Sequence, residues 1–318
     1  MEDSSSRPST LRRRALLLGM GAVACGPKPL PPLPPAPALS SAAELIPADL
    51  DVVVRLDLAR VKAALGATVL TALAHDVLAR DSAGPDPDEL VVGSLLAAEQ
   101  VYLAYRPSSL WTPLDRVLAL QGRFEPLLRA PNGFGGATDL GRDLRYWDAK
   151  VPPATRGGVA RIYALGDRVR AFVSEAELDA VERTLDGAAS PRRLQPPEEG
   201  TISLAARPRL LGRLAGSGSL RELLEDAKSL TAVADLESDG VRLKLELLLA
   251  SADEAEQLAR AGKLVLSRAL GDTKLEVTLR AESERVLLAA QLSRAQLAPL
   301  LACVWGAGSA GSAAGCSW

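Results

Sequence analysis

One histidine, three cysteines and seven lysines carry most of the nucleophilic and metal-binding chemistry open to this chain. His75 lies in a helical stretch, Thr68–Arg80, with no second histidine and no cysteine at the spacing a zinc site needs. No serine stands in a G-x-S-x-G turn, so a serine nucleophile with His75 as its base has no elbow to expose it. No lysine has a serine three residues before it, which removes the S-x-x-K arrangement. His75 therefore reads as a solitary residue, exposed or packed on its helix. Asp81, Asp86, Asp88 and Glu89 are dense enough to suggest calcium. Pro85 and Pro87 interrupt them, however, and the glycine and closing glutamate of an EF-hand are missing. Asp88 fits better as the N-cap of a helix over Glu89–Ala98. Gly306–Gly311 matches G-x-G-x-x-G, but the chain ends too soon after it for a βαβ unit, and it reads as a Gly/Ser/Ala tail. No catalytic residue, metal or cofactor is expected.

The third cysteine has a different setting. Arg12, Arg13 and Arg14 precede an apolar stretch, Ala15–Ala24, that ends at Ala22-Val23-Ala24-Cys25-Gly26. A basic segment, a short apolar one and small residues before a cut are the parts of a secretory signal peptide. The stretch is too short to cross a bilayer as a helix. With a cysteine directly after the small residues, the segment resembles the lipobox of bacterial lipoproteins, with Ala22 where that family usually has leucine. The resemblance covers residues 12–26 only. It implies that Cys25 carries a diacylglycerol and becomes the N-terminus, and that the protein sits in the cell envelope. Gly26 stands where that family's inner-membrane retention signal has aspartate, which implies the outer membrane in a Gram-negative cell. Arg13-Arg14-Ala15-Leu16-Leu17 also resembles a twin-arginine export motif, so both export routes fit.

With Cys25 taken by lipid, Cys303 and Cys316 make an even pair in an oxidising compartment and are expected to form a disulfide. The alternative is two free thiols in the tail. Two loops hold an aromatic residue: Trp111 in Pro107–Pro113, and Phe134 among the four glycines of Pro131–Arg142. Each is a candidate contact residue or a plug packed on the core, and the plug is the expectation.

The net charge of −2 and the scarcity of aromatics, 3% of the chain, offer nothing for nucleic acid to bind. Arginines outnumber lysines 30 to 7, a bias of composition rather than a basic patch. The elements that would position any site follow from periodicity. Residues 1–24 read as signal peptide and 25–40 as a lipid-attached, proline-rich tether. At about 3.1 Å per residue, the polyproline stretch from Gly26 to Ala38 would reach roughly 40 Å. Two modules follow, 41–190 and 198–302, and then a tail, 303–318.

Within the modules, strands are expected at Asp51–Asp57, Gln100–Arg106 and Asp115–Arg123, with a short helix at Glu125–Arg129. A hairpin Val159–Leu165/Arg168–Val173 turns at Gly166-Asp167 and leads into a helix Glu175–Leu185. The second module offers Thr201–Ala205, a hairpin Leu230–Glu237/Val241–Ala250 turning at Asp239-Gly240 in type I′ geometry, and a hairpin Lys274–Arg280/Arg285–Gln291. A helix over Arg294–Leu301 follows it. Ser174 with Glu177, Ser219 with Glu222, Ser251 with Glu254 and Ser293 with Gln296 all read as capping boxes. In Val241–Leu249 and Lys274–Arg280 apolar and charged residues alternate, the pattern of a sheet solvated on one face. The stripe Ala255, Leu258, Ala259, Gly262, Val265, Leu266 marks the helix that covers the other. The expected fold is α+β: a two-layer antiparallel sheet with helices on one face, from tandem duplication of a strand–helix–hairpin–helix–hairpin–helix module.

Three functions remain open. The leading one is a non-catalytic envelope protein that binds a partner or ligand, or serves a structural task, its membrane contact being the lipid anchor. The second is a periplasmic carrier of an apolar ligand held between helices and sheet. The third is a hydrolase using two convergent carboxylates whose pKa values are pushed apart.

Overall fold

Period-two runs of apolar residues pair edge to edge into one antiparallel sheet, from Val52–Asp57 (β1) to Arg285–Ser293 (β12). The computed structural model describes residues 39–66, 68, 87–106, 115–153, 158–187, 193–207, 224, 226–237, 239–270 and 276–293. Between β1 and β12 lie β2 (Ala98–Tyr105), β3 (Arg116–Gly122), β4 (Thr138–Gly141), β5 (Leu144–Asp148), β6 (Val159–Leu165), β7 (Val169–Ser174), β8 (Ile202–Ala206), β9 (Ser229–Leu236), β10 (Gly240–Leu248) and β11 (Glu276–Glu282). The described helices are α1 (Leu58–Leu65), α2 (Pro87–Ala97), α3 (Leu178–Leu185) and α4 (Ala252–Leu270), with 3-10 turns η1 (Ala42–Leu45) and η2 (Glu175–Glu177). The class is α+β, as expected.

Strands lie in the order β11-β12-β10-β9-β8-β1-β2-β3-β7-β6-β5-β4. The two stretches read as modules thus share one sheet, joined where β1 pairs with β8, Val54 opposite Leu204. Outward from this seam, with the β4–β5 hairpin left out of the count, the strands run first, second, third, fifth, fourth on both sides: β1-β2-β3-β7-β6 and β8-β9-β10-β12-β11. The order repeats but the register does not. Matching Ser174 with Ser293 sets Val173, which packs beneath η1 and α3, against Leu292, which lies opposite Val241 on the face toward α4. A one-residue slip turns every side chain over.

Adjacent residues of a strand point to opposite faces, and the first half of the sheet is covered on both. Val117 and Ala119 of β3 pack on the front face with Leu45 and Ile46 beside η1 and with Val181 and Leu185 of α3. Leu118 and Leu120 pack on the back face with Leu58 and Val61 of α1 and Val91 of α2. The expectation of helices on one face is corrected here. It extended the alternation of β10 and β11 to the whole chain, whereas β7 has all six residues buried. In the second half α4 covers the back face through Ala255, Leu258 and Ala259. Gly262 of α4 sits so near Leu279 that a Cβ there would come within 2.6 Å of Cδ2.

Four local expectations change as well. Residues 125–129 form no helix: Phe124 is buried, Leu128 N–H donates to the Pro126 carbonyl, and the chain runs on to a hairpin, β4–β5, that the glycines of 133–141 had concealed. Two successive positive-φ residues, the mark of a type I′ turn, occur at Arg142 and Asp143 of that hairpin. At Asp239-Gly240 no left-handed φ occurs; Gly240 is required because a Cβ would lie 2.0 Å from the Leu292 carbonyl oxygen of β12. Helix α2 starts at Pro87, a position that suits proline's missing donor, so Asp88 is its second residue and not its cap. Of the capping boxes, Ser251 with Glu254 is built: Glu254 N–H donates to Ser251 Oγ, and Glu254 Oε2 accepts from Ala250 N–H. Ser174 caps nothing; its Oγ accepts from Arg116 N–H across to β3.

Candidate functional site

Carboxylates converge on a shared arginine at Arg106 and at Arg161, and at Arg106 one of them, Glu177, is buried. Arg106, just past β2, lays its guanidinium against Glu177, with Nε 3.0 Å from Oε1 and Nη2 3.3 Å from Oε2. The same Nη2 lies 2.8 Å from Asp49 Oδ2, and Nη1 donates to the Asp49 carbonyl at 3.0 Å. Arg183 of α3 approaches Asp49 at 3.6 Å. Glu177 is 1% exposed, because η2 turns it inward beneath Arg106. Local structure explains the placement: β7 runs straight into η2, so the residue read as a helix-capping glutamate faces the end of β2 instead.

The two acids are pushed apart. Burial raises the pKa of Glu177; Arg106 pulls it down without cancelling, and Asp49 and Asp115 add to the rise. Burial raises Asp49 too, but the hydrogen bond and charge of Arg106, helped by Arg183, outweigh it and leave Asp49 below its usual value. Separated carboxylates of this kind are what acid–base hydrolysis requires. Here both oxygens of Glu177 are held by one guanidinium, and the group is closed to solvent. The arrangement ties three segments together: the turn before β1, the end of β2 and the start of α3. Arg207, just past β8, grips the same turn, donating to the carbonyls of Leu50 and Ala48.

A second polar cluster lies on β5 and β6. Arg161 stacks 4.1 Å from the Tyr146 ring centre, pairs with Asp148 and Glu182, and donates to Tyr163 Oη. Each charge has a partner there, and the cluster locks α3 onto the sheet.

The front face of the second half is different. Across β9, β10, β12 and β11 the register sets Asp235–Arg242–Gln291–Glu276 in one row and Val233–Lys244–Ala289–Thr278 in the next. Thr231–Glu246–Leu287–Arg280 and Ser229–Leu248–Arg285–Glu282 complete the platform. Arg242, Lys244, Thr278, Arg280, Ala289 and Gln291 are exposed. Charges of both signs pair along it, Arg285 with Glu246 at 3.2 Å, Arg280 with Glu282 at 2.9 Å and Arg242 with Glu237 at 2.6 Å. Two of these pairs reach across between neighbouring strands, and Arg280 with Glu282 pairs along one face of β11.

Of the residues singled out in the sequence, Phe134 is placed in the core, 3% exposed and bridged to Ala149, with Trp147 in the same cluster. It is a plug, so as a contact residue it is withdrawn. Cys25, His75, Asp81, Asp86, Trp111, Cys303 and Cys316 lie outside the described residues, as do residues 25–38 of the tether, Ser219, Glu222, Gln296 and the segment Arg294–Leu301. Sequence reading missed Arg106 and Glu177 as partners, since nothing in their separation of 71 residues couples them. It also passed over Arg55, whose signal was a lone cation inside the apolar run of β1.

No protein-family model matches the chain, and no curated protein matches it. Solved structures that it resembles include crystal forms I and IV of TP0453. Form I aligns with a TM-score of 0.48 and 14% identity over 84% of this chain and 98% of that one. Form IV aligns with a TM-score of 0.49 and 12% identity over 83% and 96%. Likeness at this level assigns the chain to no family.

Proposed function

We propose that this protein is a lipid-anchored envelope protein that binds a partner without transforming it, using the front face of β10, β12 and β11. The observation that carries the reading is the contrast on that face: apolar and covered in the first half, charged, paired and exposed in the second. An exposed platform of mixed charge suits a polar protein surface better than nucleic acid or an anionic lipid layer. Convergent carboxylates favour catalysis only where a substrate reaches them, and the Arg106 grip on Glu177 weighs against that.

Anchoring is part of the same proposal and rests on Arg12–Arg14, the apolar stretch and Cys25. Cys25→Ser should abolish incorporation of labelled fatty acid; a wild-type chain that takes up none would remove the anchor. For the platform, a photo-crosslinking residue at Thr278 or Ala289 should give a discrete adduct in intact envelopes, absent with the same residue at Asp139. Identical adducts from all three positions, or none, would count against it.

The repeated strand order also supports tandem duplication, with the β4–β5 hairpin as a later addition to one copy and a slipped register in the other. A permuted chain placing 193–302 ahead of 39–187 should then fold with one cooperative transition. Loss of the native far-UV spectrum would argue that the halves are not interchangeable.

A further inference from the structure

Two arginines are buried in the sheet, and they are satisfied to different degrees. Arg170 of β7 donates through Nη1 to Ser94 Oγ and through Nη2 to the Glu125 carbonyl, and it stacks 4.9 Å from the centre of Phe124. Arg55 of β1 is 5% exposed and is paired, among the described residues, with Asp57 Oδ2 at 3.7 Å from Nη2. That distance is an ion pair and not a hydrogen bond. Its Nη1 is buried and meets no acceptor among the described residues. A guanidinium carries five donors in a planar fork and cannot shed its charge, so burial without an acceptor is costly.

The side chains around Arg55 are polar, yet none of their oxygens among the described residues reaches Nη1. Arg55 points to the front face of the seam, between Ser203 of β8 and Tyr102 of β2. Ser203 Oγ donates to the Pro197 carbonyl, in the segment 193–200 that precedes β8 and whose Arg193 donates to the Ala43 carbonyl of η1. Tyr102 Oη donates to Gln100 Oε1, and Gln121 Oε1 accepts from Ala42 N–H. Asp57 is shared: Oδ2 faces both Arg55 at 3.7 Å and Arg60 Nε at 3.5 Å, while Oδ1 accepts from Arg60 N–H at the start of α1. Two cations over one carboxylate leave a positive charge in excess beside the orphaned donor.

We propose that Arg55 Nη1 is the anchor of a small oxyanion site at the seam, taking a carboxylate or phosphate oxygen. Both present the same acceptor to a guanidinium. The site is independent of the platform reading, since it lies at the β8–β1–β2 junction and needs no protein partner.

Thermal unfolding of the full chain, at fixed ionic strength, tests it with acetate and inorganic phosphate against chloride. A bound oxyanion at a hundredfold excess over Kd should raise Tm by about 5 °C. If only phosphate acts, the site selects phosphate; if both act, it takes oxyanions in general. Arg55→Met should abolish the shift, and Arg170→Lys, altering the satisfied arginine, should leave it intact. Should Arg55→Met fail to fold, Arg55→Lys keeps the charge without the fork and should weaken binding about tenfold in the same titration. Equal shifts in chloride, no shift at all, or an undiminished shift in the Arg55 variants would each overturn the proposal.

Discussion

β7 and β12 occupy the same place in the repeated strand order, yet every residue of β7 is buried while β12 alternates between covered and open positions. The cause is visible in the residues. Val169, Ala171 and Val173 alternate with Arg170 and Phe172, so both faces of β7 carry bulk that helices can cover. In β12 the front positions hold Arg285, Leu287, Ala289 and Gln291, and only the back ones, led by Val286 and Ala290, are buried. Strand order follows from backbone pairing and tolerates either choice, whereas layering follows from side chains on each face. The same topology can therefore be closed on both sides at one end and open on one at the other.

The largest expected effect sets matched positions against each other. Tyr163 lies opposite Ala171 on the front face, and Thr278 lies opposite Ala289 in the same strand pair of the other half. Tyr163→Ala should cost about 3–5 kcal/mol by urea unfolding, because it empties a covered site. Thr278→Ala should stay within about 0.5 kcal/mol. Equal costs would mean that the second front face is packed after all, and the contrast between the halves would break.

Next is the Arg106 grip, which belongs to the closed half. Arg106→Ala leaves Glu177 buried beside no guanidinium fork, and should cost about 2–3 kcal/mol after allowance for the exposure of Arg106 itself. The sign of the pH response follows from the folded state. Glu177 is raised above 4.5, so the folded chain keeps a proton that the unfolded chain releases, and stability falls as pH rises through that window. Asp49 is lowered below 3.8, so its contribution is present above that value and is lost as pH falls through its depressed pKa. Glu177→Gln should therefore flatten the stability profile above pH 4.5 and leave the acid limb in place. An unchanged slope in urea midpoints across that range would show that Glu177 does not titrate as described.

A smaller effect separates backbone from side-chain control. Gly240→Ala should cost about 1–3 kcal/mol, since its Cβ would press on β12 rather than strain a turn. A neutral outcome would mean that β10 and β12 can part locally, which would make the open half looser as well as less covered. The smallest effect is on the platform itself. A double-mutant cycle on Arg285 and Glu246 should give a coupling under about 1 kcal/mol that fades with salt, as solvent-exposed pairs do. A larger, salt-resistant coupling would indicate a covered platform.

Much of the sheet was legible before any coordinates. DVVVRLD, the alternation in Val241–Leu249 and the Ser251–Glu254 box each act through neighbours within a few residues, so pattern and structure agree. The Glu125–Arg129 helix failed because the burial of Phe124 outweighs helix propensity over so short a stretch. The β4–β5 hairpin escaped notice because its pairing with β6 supplies what its own glycine-rich, fully exposed strand lacks. Ser174 and Glu177 matched a capping box letter for letter and were drawn off by Arg116 and Arg106, partners 58 and 71 residues away.

The sequence by itself determined the period-two strands, the charged face of β10 and β11 and the apolar stripe of α4. These depend on local spacing, and local spacing is written in the chain. Only the tertiary structure decided that β1 and β8 fuse two stretches into one sheet, that the first half is covered on both faces, and that Arg55 is enclosed at the seam without an acceptor. Each of those depends on which distant strand lies alongside, and backbone hydrogen bonds, identical for nearly every residue, leave no trace of that choice in the sequence.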